Sequence, residues 1–194
     1  MTASDLTLRP ATLDDAPALG RFAEHVFRDT FGPHNRPEDM DAYCRKAFAL
    51  DAMRDELGDG DLDTALAIAH GAIAGYAQLR AGPPPACVTG PHPIELKRLY
   101  VERRWQGHGV AQTLMTHAIE LARQRGAQTL YLSVWQHNHR AIAFYAKHGF
   151  ERVGVAPFRL GADLQLDPVM MRSLSHPSSS WPCGGGLLPT RPAR

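Results

Sequence analysis

The chain has 194 residues, which suits one α/β domain with a substantial core, and its formal net charge of +1 at pH 7 indicates no overall preference for nucleic acid or a membrane surface. Its three cysteines lack CxxC spacing and its histidines show no HxxxH or mixed Cys/His spacing, which argues against a disulfide framework and predicts no metal site. With no apolar run of about 18 residues and no secretory signal at the N-terminus, we expect a cytoplasmic protein without a membrane span.

The first half of the chain predicts a strand, helices and a hairpin. Residues 6–9 are predicted as a strand, and Asp14 or Asp15 is the expected cap of the helix that follows. Residues 36–57 predict one or two further helices. Residues 64–81 contain two apolar runs separated by a glycine, which predicts a β-hairpin.

The segment IELKRLYV, residues 94–101, is predicted as a strand with alternating faces. Strict alternation places every second side chain on the same side of a sheet. The expected face on one side therefore carries Ile94, Leu96, Arg98 and Tyr100.

The second half predicts a crossover unit and a final strand pair. A glycine turn and an amphipathic helix connect residues 94–101 to the apolar strand 129–134, so these two strands are expected to be parallel neighbours in an otherwise antiparallel sheet. A short helix within residues 140–150 and two last strands complete an α+β domain over residues 1–174. Residues 175–194 are rich in Ser, Pro and Gly and predict a disordered tail.

Charge is uneven along the chain. Residues 38–63 carry nine acids against three bases, and residues 97–125 carry six bases against two acids. Solvated helix faces would explain both stretches. The alternative is an acidic half that attracts a cationic substrate and a basic half that attracts an anionic cofactor.

The turn QGHGVA, residues 106–111, places two glycines directly before a predicted helix. A helix start with bare backbone leaves several N–H groups uncovered at the positive end of the helix dipole, which suits a bound phosphate. A Walker loop would continue with Lys-Ser or Lys-Thr, and a dinucleotide fingerprint would need a small residue where Gln112 stands. The turn therefore predicts a metal-independent cradle for a pyrophosphate.

This turn resembles the Q/R-x-x-G-x-G/A motif of the GNAT superfamily of acetyl-CoA-dependent N-acetyltransferases. Residues 132–154 are similar to the family's second motif, V...N..A..FY.K.GF...G, and the two motifs stand in the family's order and spacing. The resemblance covers about residues 5–174. Three further segments resemble the bacterial branch that acetylates spermidine and spermine and is related to a sporulation regulator; they are residues 30–48, 97–101 and 158–171. Pro168 departs from that branch and leaves the register of the last strand open.

The resemblance implies a sheet that is splayed at its two parallel central strands, with the pantetheine of acetyl-CoA inserted between them like another strand. It assigns cofactor contacts to the strand around Leu99, Tyr100 and Val101 and to the diphosphate turn of Gln106, Gly107, His108, Gly109, Val110 and Ala111, with Asn138 and Lys147 as further contacts. Three of these have alternatives. His108 could be a bystander, Asn138 could serve only as a helix cap, and Lys147 could be solvated.

Two residues carry the implied chemistry. The family has a tyrosine at Tyr145 that protonates the departing thiolate, and a phenol is protonated at neutral pH; the alternative role is packing beside Phe144. Glu95 lies where some members have a strand glutamate that serves as the base. The alternatives are that Glu95 is a surface ion-pair partner of Lys97 or Arg98 and that a water chain removes the proton.

The function expected from this resemblance is direct transfer of the acetyl group of acetyl-CoA to a primary amine in a ternary complex. The branch resemblance and the acidic stretch favour a polyamine as the acceptor. A peptide, a protein or another small amine is the alternative acceptor, and a non-catalytic CoA sensor is the alternative class. We expect a small-molecule amine as the partner, no nucleic acid and no membrane, and a homodimer remains an alternative to a monomer.

Overall fold

The structure is a computed structural model that describes residues 6–174, so the predicted tail lies outside the described residues. Seven strands and five helices follow one another in this part of the chain: β1 (Leu6–Pro10), α1 (Ala16–Phe31), α2 (Pro37–Ala47), α3 (Leu50–Gly58), β2 (Leu62–Ala69), β3 (Ala72–Arg80), β4 (Pro93–Val101), α4 (Val110–Gln124), β5 (Thr129–Ser133), α5 (His139–Lys147), β6 (Glu151–Leu160) and β7 (Asp163–Ser173).

The strands form one sheet in the order β1-β2-β3-β4-β5-β7-β6. Every neighbouring pair is antiparallel except β4 and β5, which are parallel and joined by α4. The predicted α+β class, the hairpin and the parallel central pair are confirmed.

The parallel pair is short. Residues 93–95 of β4 pair with residues 129–131 of β5, and no further pairing joins the two strands within the described residues. Beyond Glu95 the strands separate, while β4 stays bonded to β3 and β5 stays bonded to β7. The sheet is therefore splayed at its centre.

A bulge in β4 changes the predicted faces of this strand. Gln78 of β3 pairs with Arg98 and the next residue of β3 pairs with Leu96, which leaves Lys97 as the extra residue. Ile94 and Leu96 pack in the same cluster as Val101, on the side of α4, whereas Tyr100 packs on the other side. The expectation that Ile94, Leu96, Arg98 and Tyr100 share one face is wrong, because the extra residue reverses the alternation.

Apolar side chains fill both sides of the sheet. On one side α4 packs against the central strands through buried residues that include Leu114 and Met115. On the other side α1, α2 and α3 bury a second cluster that includes Leu19, Phe27 and Met53. Each helix covers the sheet with one apolar stripe, which fixes its position over the splayed strands.

Asp15 precedes α1 as predicted, but its carboxylate does not cap that helix. It accepts from the Thr12 N–H at 2.8 Å and forms an ion pair with Arg9 of β1 at 2.7 Å. The Arg9 guanidinium, as its hydrogen-bonding partner, holds the pKa of Asp15 well below its usual range. The side chain thus ties β1 to the start of α1.

Pro168 lies within β7, a central strand, with its carbonyl accepting from the Val134 N–H at 3.0 Å. β5 ends one residue earlier, at Ser133. The N–H group that proline lacks would therefore have faced Val134, just past the end of β5. A proline at position 168 thus removes no hydrogen bond from the β5–β7 ladder itself. The register of β7 against both neighbours is defined.

Candidate active site

A cavity of about 1130 Å³ opens where β4 and β5 separate. Its walls come from the second half of α1, from residues 95–101 of β4, from the end of β5 and from α5, and residues 83–85 and the β6–β7 hairpin close the far side. Strands that part leave main-chain N–H and C=O groups without a ladder partner. Such groups can bind an extended ligand as if it were a strand.

Alternation along β4 decides which main-chain groups face this gap. The Glu102 N–H donates to β3 at 3.0 Å, so the main-chain groups of Tyr100, in phase with Glu102, also face β3. On the opposite side the Val101 carbonyl accepts from Gln106 Nε2 at 3.1 Å. The main-chain groups of Leu99, in phase with Val101, therefore face the gap, and Tyr100 contributes its side chain to the cavity wall.

The start of α4 lies beside this gap and exposes backbone donors. Gly107 and Gly109 have φ of +83° and +85°, values that strain any residue with a side chain. The first bond of the helix runs from the Thr113 N–H to the Gly109 carbonyl at 2.9 Å, so the N–H groups of residues 110–112 precede it. Val110 and Ala111 thus offer main-chain donors at the positive end of the helix dipole.

Gln106 braces the glycine turn. Besides its bond to β4, its Oε1 accepts a hydrogen bond from Arg140 in the first turn of α5. His108 is exposed, and its Nδ1 lies 3.1 Å from the Gln106 carbonyl. Sequence reasoning missed Arg140, whose only signal was a basic residue two positions after Asn138.

Asn138 and Lys147 occupy the two ends of α5. The Asn138 side-chain oxygen accepts from the Ala141 N–H at 3.1 Å, which confirms the capping role, and Asn138 also lines the cavity. Lys147 is exposed in the last turn, outside the cavity wall.

Tyr145 packs in the core and also lines the cavity. It is 9% exposed and packs between Phe144 and Phe150, with ring centroids 5.6 and 5.8 Å away. It also lines the cavity. Burial raises the pKa of the Tyr145 phenol well above its usual value, so the hydroxyl carries its proton at neutral pH.

Glu95 lines the cavity and is the last residue of β4 that pairs with β5. Its Oε2 lies 2.5 Å from a guanidinium nitrogen of Arg80 on the adjacent strand, and the Glu95 side chain is 15% exposed. Glu95 therefore forms an ion pair, which was the expected alternative to a role as the base. The partner is Arg80, because the bulge at Lys97 turns Lys97 and Arg98 to other neighbours.

None of the carboxylates in the acidic stretch of residues 38–63 lines this cavity. Several of them are engaged elsewhere in the fold: Asp39 with the Ala162 N–H, Asp41 with Arg28, Glu56 with Lys97 and Arg98, and Asp63 with Arg125. The acids in the cavity wall are Asp29, Glu95 and Asp167.

A polar network that sequence reasoning missed lies under the cavity floor. Glu56 of α3 accepts from Lys97 at 2.6 Å and from Arg98 at 2.5 Å, and Arg98 also donates to Gln78. Gln78 in turn donates to Glu56 and to Thr64 of β2. Desolvation opposes ionisation of Glu56, but the charge of Arg98 and the hydrogen bonds from both cations outweigh it and lower the pKa of Glu56.

Asp167 is the second missed residue, and it is 5% exposed in the cavity wall on β7. Its Oδ1 accepts from the Gln136 N–H at 3.3 Å. Burial raises the pKa of Asp167, against the opposing effects of this hydrogen bond and of His137. In the sequence, the alternation of Leu164 and Leu166 with Asp167 would place the leucines inside and Asp167 outside, whereas in the structure both leucines are exposed and Asp167 is buried.

Within residues 6–174, no helix is long and apolar enough to cross a membrane. The same part of the chain contains no group of three or more His, Cys, Asp or Glu side chains arranged to hold a metal ion.

Comparison with known proteins adds to this geometry. The model of the acetyltransferase (GNAT) family matches residues 23–150. An uncharacterized N-acetyltransferase in the pepI 3′ region of Lactobacillus delbrueckii subsp. lactis is 31% identical over 160 residues, which are 82% of this chain and 92% of that protein. An uncharacterized N-acetyltransferase of Mycobacterium tuberculosis is 33% identical over 162 residues, covering 84% and 99%.

Among solved structures, the PaiA N-acetyltransferase of Thermoplasma acidophilum in complex with coenzyme A superimposes with a TM-score of 0.72. The match covers 89% of this chain and 99% of that chain at 19% identity. At this identity the likeness concerns the fold.

Proposed function

Because the chain belongs to the acetyltransferase (GNAT) family, we propose that it transfers the acetyl group of acetyl-CoA to a primary amine by direct attack within a ternary complex. The observation that carries this proposal is the parting of β4 and β5 beside the glycine start of α4. Unpaired strand groups and uncovered helix donors lie at one cavity, and these are the two kinds of group that a pantetheine arm and a diphosphate need.

The co-substrate would be held by backbone. In this proposal the main-chain groups of Leu99 and Val101 bond the pantetheine in the gap. The N–H groups of Gly107, Gly109, Val110 and Ala111 bind the diphosphate without a metal, while the His108 N–H donates to the Trp105 carbonyl at 3.3 Å and Gln106 keeps that turn next to β4. Asn138 and Arg140 line the cavity and would contact such a ligand there, whereas exposed His108 and Lys147 would contact it only outside the cavity wall.

Direct attack requires that the acetyl group pass to the amine without first being transferred to a nucleophilic side chain of the enzyme. Cys44 is fully buried, and neither Cys44 nor Cys87 lines the cavity, so no thiol among the described residues is in position to accept an acetyl group. This supports a ternary complex in which the amine reaches the thioester itself.

Tyr145 is the proposed general acid. As the carbon–sulfur bond breaks, the developing thiolate takes the proton of the Tyr145 hydroxyl. Burial keeps the Tyr145 hydroxyl protonated at neutral pH, so a proton is in place in the cavity wall when the sulfur leaves.

The acceptor class is the finer part of the proposal. The resemblance to the spermidine- and spermine-acetylating branch favours a polyamine, although the carboxylates of the acidic stretch that also suggested it lie outside the cavity wall. Asp29, Glu95 and Asp167 are the carboxylates that could face a cationic acceptor, and Glu95 is already paired. A peptide or another small amine would use the same cavity.

The test is a panel of amines with release of free thiol from acetyl-CoA as the readout. Spermidine, spermine, small monoamines and N-terminal peptides are compared under identical conditions, with CoA binding measured separately by calorimetry. Thiol release that depends on an amine supports the transferase. Binding of CoA without release for any amine favours the sensor, and release with peptides but not polyamines rejects the polyamine class.

A further inference from the structure

Asp167 presents an uncompensated charge in the cavity that the acceptor amine must enter. Its side chain is 5% exposed, and within the described residues it accepts one hydrogen bond, from the Gln136 N–H. Among the residues that the structure describes, no lysine, arginine or histidine forms an ion pair with it.

A buried carboxylate without a cation is costly, because it gives up water without a counter-charge to replace it. Two partly buried carboxylates of this fold are paired with cations: Glu56 with Lys97 and Arg98, and Asp15 with Arg9. The other buried carboxylate among the described residues, Asp39, accepts from the Ala162 N–H at 2.7 Å and does not line this cavity. Asp167 has no such cation and faces a cavity, so a ligand can supply the missing cation.

Glu95 is the less suitable carboxylate for this purpose. Arg80 already occupies its Oε2, and a second cation would have to share that charge. Asp167 carries no such competitor, and its strand β7 borders the end of β5, next to the gap between β4 and β5.

We propose that Asp167 binds the ammonium group of the acceptor and takes a proton from it before attack, an inference that rests on the proposed transferase function. The carboxylate of Asp167 becomes a carboxylic acid, and the freed lone pair of the nitrogen forms a bond to the acetyl carbon. The carbon–sulfur bond breaks, and the sulfur takes the proton of Tyr145. The second proton of the nitrogen restores the Tyr145 phenol, and Asp167 releases its proton to solvent, so one proton is lost overall.

The electrostatic setting of Asp167 suits a proton acceptor. Burial raises the pKa of Asp167, which makes its carboxylate a stronger base than an exposed aspartate, while the Gln136 N–H and His137 oppose that rise. We therefore expect the acidic limb of the pH–rate profile to follow Asp167.

The test compares Asp167→Asn with Glu95→Gln and with the control Asp163→Asn. The asparagine retains an oxygen that accepts from Gln136, and Asp163 is an exposed residue of the same strand, outside the cavity wall. For Asp167→Asn we expect kcat/KM for the amine to fall by about 10²-fold or more, with loss of the acidic limb. The affinity for CoA, from calorimetry, should stay unchanged.

A readout without turnover keeps the test independent of catalysis. The melting temperature of Asp167→Asn should equal or exceed that of the unchanged chain, since a buried lone charge has been removed. The rise in melting temperature that a saturating amine gives the unchanged chain should be lost in this variant and kept in Asp163→Asn.

Wild-type rates and an unmoved pH profile in Asp167→Asn would overturn the inference. So would loss of the acidic limb in Glu95→Gln alone, which would assign the base to Glu95. If the unchanged chain itself transfers acetyl to no amine, the proposed function fails first, and that result is seen before any variant is compared.

Discussion

The hydroxyl of Tyr145 and its ring serve different purposes. The ring fills space between Phe144 and Phe150, and the hydroxyl reaches the cavity wall with a pKa raised by burial. Replacing Tyr145 by Phe removes the second property while keeping the first. Removing one oxygen atom therefore separates the packing role of the ring from the proposed acid role of the hydroxyl.

For Tyr145→Phe we expect kcat to fall by about 10²-fold or more with little change in the Kd of CoA. Turnover is followed by thiol release and binding by calorimetry. The matched control is Tyr76→Phe, because the Tyr76 hydroxyl is also buried but has no hydrogen-bond partner within the described residues and lies outside the cavity wall. This control should keep full activity. Equal activity in both variants would remove Tyr145 from the acid role.

Single residues were predictable from sequence where their partners are local. Asn138 caps the helix that starts one residue later, and Tyr145 follows within that helix, so a short motif contains both. Asp167 and Arg80 were not predictable as site residues. Their roles depend on Gln136 and Glu95, each more than ten residues away in sequence and brought close only by strand pairing.

At the scale of elements, the glycine start of α4 was predictable from sequence because it depends on the backbone alone. Two residues with positive φ precede a helix start, and no distant side chain is needed to form the donors. The faces of β4 were read wrongly because a bulge at Lys97 is set by the partner strand β3. Alternation of side chains in the sequence does not reveal that a strand contains one extra residue.

The glycine turn gives a prediction that separates backbone strain from ligand binding. Gly109 at the start of α4 and Gly126 after its end both have positive φ, and a Cβ at either position would meet open space. Changing either to Ala should therefore cost a similar amount of stability, about 1 kcal/mol, measured by urea unfolding.

The two variants should differ in CoA binding. In Gly109→Ala the strain falls on the donors proposed to bind the diphosphate, so calorimetry should show an affinity loss of about tenfold or more. Gly126→Ala leaves that end of α4 intact and should bind CoA as the unchanged chain does. Unchanged affinity in Gly109→Ala would place the diphosphate elsewhere.

For the whole molecule, the splayed sheet must be held open without a ligand. β5 is fixed by five residue pairs with β7, and β4 by its ladder with β3 and by the polar network of Glu56, Lys97, Arg98 and Gln78. This network joins α3 to β3 and β4, and through Thr64 to β2, on one side of the gap. The parallel central pair and the mixed sheet followed from sequence, but this support did not, because its members are spread over residues 56–98.

The network predicts a strong and pH-dependent contribution of Glu56 to stability. In Glu56→Gln two largely buried cations, 17% and 7% exposed, lose their counter-charge, so the free energy of unfolding at pH 7 should fall by about 3 kcal/mol. The control is Glu38→Gln. Its carboxylate lies 3.6 Å from Arg36 with both side chains about three quarters exposed, and its loss should cost less than about 0.5 kcal/mol.

The sign of the pH effect follows from the direction of the pKa. Folding lowers the pKa of Glu56, since the attraction of Arg98 and the hydrogen bonds of both cations outweigh desolvation. Its contribution is therefore fully present above the unfolded value of about 4.3 and is lost as the pH falls through the lower folded pKa. The stability difference between the unchanged chain and Glu56→Gln should shrink below pH ~4.3 in urea unfolding series. A difference that stays constant down to pH ~3 would show that the ionisation of Glu56 does not provide the stability lost in the variant.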